Sequence, residues 1–170
     1  MASSALSPRA REIVATAREL LEAEGPEALS MRRIADRLGI KAPSLYKHLP
    51  DKQALEAALI STAFEEMAAA GQDAHDLAAV TAAYRSYARA HPHLYRLMTD
   101  KPLDRERLTP GVEDRAAAAI TAAVGGDADR ARAAWAFAHG MTILELDDRF
   151  PPGADLDAAW AAGIAAFDSG

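Results

Sequence analysis

Apolar positions recur along this chain at intervals of three and four, the period of an α-helix. Ala10, Ile13, Ala17, Leu20 and Leu21 make one such stripe. Ser7 can cap the helix that carries it, and Pro8 sits at the first helical position, where its missing N–H costs nothing. Gly25-Pro26 ends it. Ser30 then caps a second helix in which Met31, Ile34, Ala35 and Leu38 face inward, leaving Arg32, Arg33, Asp36 and Arg37 outside. Gly39 stops that helix, and Gly39–Lys41 is all that separates it from a third, which starts near Ala42-Pro43 and ends at Pro50. Leu45 and Leu49 are its inner residues. Two short helices joined by a glycine-containing turn of this length are the signature of a helix-turn-helix.

Asp51 caps a fourth helix, predicted over 52–70, with Leu55, Ala58, Leu59 and Thr62 as its inner face. No linker follows the helix-turn-helix, so this helix is expected to serve two domains, 1–51 and 52–170, as a rigid lever. A helix from Asp76 to about Ala90 comes next, then a short one over 93–99 and a loop from Lys101-Pro102 to Pro110-Gly111. Further helices are predicted over 112–124, from the cap Asp127 to about 148, and over 155–167. The fold class is all-α, with about nine helices. Residues 133–146, AAWAFAHGMTILEL, are apolar almost all round, as in a helix buried on more than one side. Gly140 and Gly163 each lie mid-helix, where glycine costs ~1 kcal/mol relative to alanine. Ala159 and Gly163 have the small-xxx-small spacing that lets helices approach closely. Gly140, Leu144, Ala159, Trp160, Gly163 and Phe167 are therefore expected at a homodimer interface, because so small a chain has few ways to bury both sides of both helices.

Composition agrees with the pattern. About a quarter of the residues are alanine, the best helix former. The chain has no cysteine, which excludes disulfides and thiolate chemistry and fits a reducing cytoplasm. The N-terminus has no apolar signal-like core, and no run approaches the ~20 apolar residues that span a bilayer. Charge changes the picture more. The net charge of −6 argues against a nucleic-acid binder, but it is unevenly spread. Residues 1–60 carry nine Lys/Arg against eight Asp/Glu, and residues 61–170 carry ten against seventeen. Ser30–Lys52 alone holds six basic residues and two acidic ones. An acidic body thus carries one small basic element, the part of the chain expected to meet DNA.

The chemistry of that element follows from its residues. The third helix would lie in a major groove with its first turn nearest the bases. Ala42 and Pro43 there allow close approach and offer apolar partners to thymine methyl groups. Lys41 and Lys47 can reach guanine or phosphate. Lys52 sits at a helix N-terminus, where a cation is disfavoured unless an anion joins it; a phosphate there would be held by the ammonium and by free backbone N–H groups. Arg32 is expected as a further phosphate clamp, while Arg33 and Arg37 fit a phosphate contact and a solvated face equally well. Binding of this kind weakens steeply with salt.

The segment GIKAPSLYKHLPDKQAL, behind LSMRRIADRLGI, resembles the TetR family of bacterial transcriptional repressors over about residues 8–60. WAFAHGMTILEL, 135–146, is similar to a Trp-x-x-x-His-Gly type of C-terminal domain in one branch of that family. The resemblance implies a three-helix DNA-binding domain followed by a helical ligand-binding and dimerisation domain. It adds Ser44, Tyr46 and His48 as phosphate donors. It also implies a palindromic operator in double-stranded DNA, with the two recognition helices roughly 34–36 Å apart. A small apolar or amphipathic effector would release the DNA by shifting the fourth helix.

Other chemistry is poorly supported. His91, His93, His139, Asp147 and Asp148 lack paired ligand spacing, so no metal is expected, and no cofactor either. No GxSxG, phosphate loop or carboxylate pair points to an enzyme. Tyr84, Tyr87, Tyr95, Leu97, Met98, Trp135, Phe137, His139 and Met141 are candidates to line an effector cavity, or simply to fill the core. Two other readings compete with a ligand-responsive regulator. One is a DNA binder, constitutive or partner-controlled, whose C-terminal body only dimerises. The other is a helical enzyme that merely resembles a DNA reader. A cavity lined by Trp135 and the tyrosines would favour the effector.

Overall fold

The structure, a computed structural model, describes residues 6–168. Among them are nine α-helices and no strand: α1 Pro8–Glu24, α2 Met31–Arg37, α3 Ala42–Leu45, α4 Lys52–Gly71, α5 Leu77–Ala90, α6 Pro92–Thr99, α7 Val112–Ala123, α8 Ala128–Leu146 and α9 Leu156–Asp168. Single 3-10 turns at Pro26–Ala28 and Arg105–Arg107 complete the elements, and neither is foreseen by the hydrophobic pattern. A turn of three residues is too short to show a period.

The helices divide between two compact units. One holds the described residues up to Phe64 together with His91–Val112, and the other holds Glu65–Ala90 and the chain from Glu113 onward. Sequence order and packing therefore part company, because α6 and the loop after it belong with the N-terminal helices.

In the first unit α1 is capped by Ser7, whose hydroxyl accepts the Ala10 N–H at 3.2 Å. The helix buries Ala10, Ile13, Val14, Ala17, Leu20 and Leu21. It packs against both α2 and α6. The start of α6 is built partly by α1. His91 gives no side-chain cap, and Pro92 has no N–H to offer. In the first turn the Leu94 N–H donates to the Glu22 carboxylate at 3.0 Å, while Arg18 lies 3.2 Å from the His91 ring nitrogen. Tyr95 and Met98, expected around an effector cavity in the C-terminal body, are buried in this unit instead. The stripe on so short a helix gives no sign of which neighbour it meets.

The part of α4 in this unit is buried on more sides than the expected face of Leu55, Ala58, Leu59 and Thr62. Leu55 and Leu59 are buried, but so are Ala57, Ile60, Ser61 and Ala63, while Ala58 and Thr62 are only half-buried. The extra burial has a local cause. The loop before α7 lies along the helix, and Thr109 N–H donates to the Ser61 hydroxyl at 3.0 Å.

The second unit is built round Leu77, Val80, Ile120, Val124, Ala131, Ala134, Ala138, Trp160 and Ile164, with Tyr84, Phe137, Met141 and Phe167 packed against them. Alanine at three of the buried α8 positions lets α8 lie close to α5 and α9. Phe137 meets Trp160 edge-on at 5.5 Å and Phe167 at 6.1 Å between ring centroids. A polar knot sits beside this core. The Arg85 guanidinium donates to Glu145 at 3.0 Å and to Asp157 at 2.6 Å, and lies 5.5 Å over the Trp160 ring. The Trp160 indole N–H donates to the same Glu145 carboxylate. Burial works against the charge of Arg85, but its hydrogen bonds to Asp157 and Glu145 outweigh burial and hold its pKa above the ordinary arginine value.

Candidate nucleic-acid interface

The element Ser30–Lys52 is assembled from short-range bonds. Ser30 Oγ accepts the Arg33 N–H at 3.3 Å and starts α2. The helix is closed by a Schellman motif: Gly39 N–H donates to Asp36 C=O at 3.1 Å and Ile40 N–H to Ala35 C=O at 3.0 Å. This closure needs a left-handed residue between the two donors, and Gly39 supplies it with φ of 65°. The chain thereby turns sharply enough for α3 to begin three residues later.

The recognition element is shorter than a full helix. Only Ala42–Leu45 is α-helical, and residues 46–48 continue as turns, with His48 and Leu49 N–H groups both donating to Leu45 C=O. Leu45, fully buried, and Leu49, nearly so, pin it from beneath. Everything between and around them points away. Lys41, Pro43, Ser44, Tyr46, Lys47 and His48 are exposed, Tyr46 by 48%, and Ala42 is half-buried. Arg32 is exposed on α2. Arg33 pairs with Glu24, which accounts for one of the two arginines left undecided above.

The start of α4 closes the element. Asp51 caps it, accepting the Ala54 N–H at 2.6 Å, and this bond is the main reason its carboxyl lies below the usual range. The Arg107 guanidinium reaches the same carboxylate, 3.2 Å from both oxygens. Lys52 is exposed, and its ammonium lies 3.6 Å from Glu56, one turn on. The nine residues expected to contact DNA thus lie within two short helices, one turn and the first residue of α4. Arg107 is the neighbour that reading the sequence does not find. It is 56 residues away, in a segment without periodic pattern.

The residues expected around an effector are not gathered in one place. Besides Tyr95 and Met98, Leu97 also lies in α6 of the first unit. In the second unit Tyr87 is buried, and its hydroxyl donates to Glu66 at 2.8 Å. Tyr84, Phe137 and Met141 pack on the core, whereas Trp135 is 49% exposed and stacks on His139 at 5.7 Å. Two open grooves run along this unit. One of about 520 Å³ is lined by Arg85, Arg89, Glu145 and Asp157, and one of about 340 Å³ by Thr81, Arg85, Trp160 and Ile164. Neither is lined by Trp135, Tyr84 or Tyr87.

The six residues expected at a dimer interface also divide. Leu144 is exposed, Ala159 is half-buried, and the space beside Gly140 is open. Trp160 and Phe167 pack into the core of their own chain, and the Phe137 ring occupies the space beside Gly163. Among the described residues no group of three or more His, Asp or Glu side chains could hold a metal ion, and no helix is long and apolar enough to cross a membrane.

Comparison with known proteins agrees with this geometry. Residues 13–59 match the family model of bacterial regulatory proteins of the tetR family, and residues 77–167 match that of the tetracyclin repressor-like C-terminal domain. The uncharacterized HTH-type transcriptional regulator Rv0681 of Mycobacterium tuberculosis is 34% identical over 149 residues, covering 79% of this chain and 68% of that protein. The tetracycline repressor protein class C of Escherichia coli is 49% identical over 47 residues, which cover 28% of this chain and 22% of the repressor. A solved structure of a protein of unknown function from Rhodococcus sp. RHA1 superposes with a TM-score of 0.76 at 26% identity, covering 95% of this chain and 93% of the other. With a helix-turn-helix of this geometry at one end and a matching helical domain at the other, the chain belongs to the TetR family of bacterial transcriptional regulators.

Proposed function

We propose that this regulator is a cytoplasmic repressor that binds a palindromic operator in double-stranded DNA as a homodimer and is released by a small apolar or amphipathic effector. The observation that carries the DNA half of this reading is the outward set Lys41, Ala42, Pro43, Ser44, Tyr46, Lys47 and His48, held rigidly over Leu45 and Leu49. Ala42 and Pro43 suit close apolar contact with bases, and the lysines suit guanine or phosphate. Ser44, Tyr46, His48, Arg32 and Lys52 fix the register on the backbone. Such a surface is suited to binding.

Dimerisation is supported by the outer faces of α8 and α9. Ala133, Ala136 and Leu144 on α8, and Ala158, Ala162 and Ala166 on α9, are all exposed, and Gly140 has open space before it. Small residues in this number let a second pair of helices approach closely and bury apolar surface that one chain leaves wet. A dimer would set the two recognition elements one helical turn of DNA apart, roughly 34–36 Å. Release then requires the effector to bind the spread dimer better than the DNA-bound one. Tyr84, Phe137 and Met141 are the residues of the second unit through which it would act.

A second reading is a DNA binder whose second unit only dimerises, under no control or that of a partner protein. What favours it is the scatter of the aromatic residues and the position of both open grooves away from Trp135, Tyr84 and Tyr87. A gel-shift titration with the promoter region beside the protein's own gene tests the DNA reading. Lys52→Ala and Tyr46→Phe should both weaken binding, and Lys52→Ala should lower the salt slope by about one. Unchanged binding in both variants rejects the assignment.

A further inference from the structure

We propose that Arg107, in the loop ahead of α7, is a positioning residue for DNA binding: it neutralises the Asp51 carboxylate and so keeps the start of α4 receptive to a phosphate. This rests on the DNA reading above. The site has a built-in conflict. The N-terminus of α4 attracts anions through its partial positive charge and the Lys52 ammonium, while the Ala54 and Gln53 N–H groups are already turned to Asp51. Its cap, however, is itself an anion. Asp51 accepts the Ala54 N–H at 2.6 Å, so a full negative charge stands beside the place where Lys52 would hold a phosphate. Two such charges a few ångströms apart repel by an amount worth about fivefold in affinity, even in water.

Arg107 removes that conflict without removing the cap. One of its terminal nitrogens lies 3.2 Å from each Asp51 oxygen, so it can share a proton between them. Its Nε lies 3.3 Å from Asp104, within its own loop, which orients the guanidinium. The loop itself is fastened to α4 by the bond from Thr109 N–H to Ser61, and its Leu108 is buried. A segment far off in sequence therefore sets the charge of the DNA-facing end of α4. Local sequence could have supplied a neutral cap, as Ser7 and Ser30 do on α1 and α2. An aspartate cap paired with a distant arginine makes the phosphate site conditional on where the 104–109 loop lies.

The test is a double-mutant cycle read by DNA titration at low salt. Arg107→Gln should weaken binding to the promoter duplex about fivefold, and Arg107→Lys, which keeps the charge, should stay near the parent protein. Asp51→Asn retains the capping oxygen and loses the charge, so binding should hold or tighten. In the Asp51→Asn background, Arg107→Gln should then have no effect. A defect of Arg107→Gln that persists undiminished in that background overturns the inference, because it would mean that Arg107 only holds the loop. Lys52→Ala is run beside them. Loss of binding there with none in Arg107→Gln overturns the inference alone, and no loss in either removes the phosphate site on α4 together with it.

Discussion

The outer end of the Phe137 ring on α8, its Cζ and Cε atoms, lies against Gly163 on α9, filling the space that a Cβ at position 163 would need. The interior glycine of α9 thus serves a contact inside one chain. Gly163→Ala should gain up to ~1 kcal/mol of helix propensity and lose more to overpacking, because Trp160 and Phe167 flank the ring that would have to move. A net loss of about 1–2 kcal/mol in urea unfolding is expected. Phe137→Leu in the same chain should recover part of it, and a fully additive pair would show that the two positions do not meet.

Gly140 makes the opposite case. Nothing lies within 4 Å of a Cβ built there, so within one chain Gly140→Ala should stabilise α8 by ~1 kcal/mol. If the outer face of α8 is a dimer interface, the same methyl group should push the monomer–dimer equilibrium toward monomer in sedimentation equilibrium. Gly163→Ala offers no comparable new group to a partner.

Glu145 is the weak point of the second unit. Its side chain is 7% exposed and takes hydrogen bonds from Arg85 and Trp160. Arg85→Met would leave that carboxylate nearly buried with the indole N–H alone. The expected cost is about 2–3 kcal/mol, below that of a fully buried pair because Arg85 and Asp157 reach solvent. Glu145→Gln, which keeps an acceptor for one donor, should cost about 1 kcal/mol. Chemical denaturation of the two variants checks the order.

Asp148 closes α8 in a left-handed conformation, with φ of 50°, where helices usually place glycine. Its N–H donates to Glu145 C=O, and Arg149 N–H to Leu144 C=O, as in the motif at Gly39. Asp148→Gly should therefore stabilise the protein by about 0.5–1 kcal/mol, seen as a higher melting temperature.

Acid should act through a few exposed carboxylates. The Ala54 N–H lowers the pKa of Asp51, the Arg115 side chain that of Glu65, and the Arg130 and Asp129 N–H groups that of Asp127. A carboxyl with a lowered folded pKa contributes stability above its unfolded value, about 3.9–4.3, and loses it as pH falls through the folded value. The melting temperature should be flat above about pH 5 and decline below about pH 4. Asp127→Asn, which keeps the cap without the charge, should make that decline shallower. An unchanged slope would remove Asp127 from the account.

What the sequence determines here is what a few adjacent residues can decide. The caps at Ser7, Ser30, Asp51 and Asp127 and the turn at Gly39 are all set by bonds spanning five residues or fewer, and the inward Leu45 and Leu49 by their own spacing of four. They fix the helix order and the outward face of the DNA-reading element. The 3-10 turns escape because they are too short to repeat. Tertiary structure decides the rest. It takes Tyr95 and Met98 into the first unit, turns Trp160 inward and Trp135 out, presses Phe137 onto Gly163, and brings Arg107 to Asp51. A helix such as α8, apolar almost all round, carries no pattern that distinguishes the side meeting its own core from the side left open. That choice is made by partners far off in sequence, such as Trp160 for Phe137 and Arg85, 60 residues away, for Glu145, whose identity no local window contains.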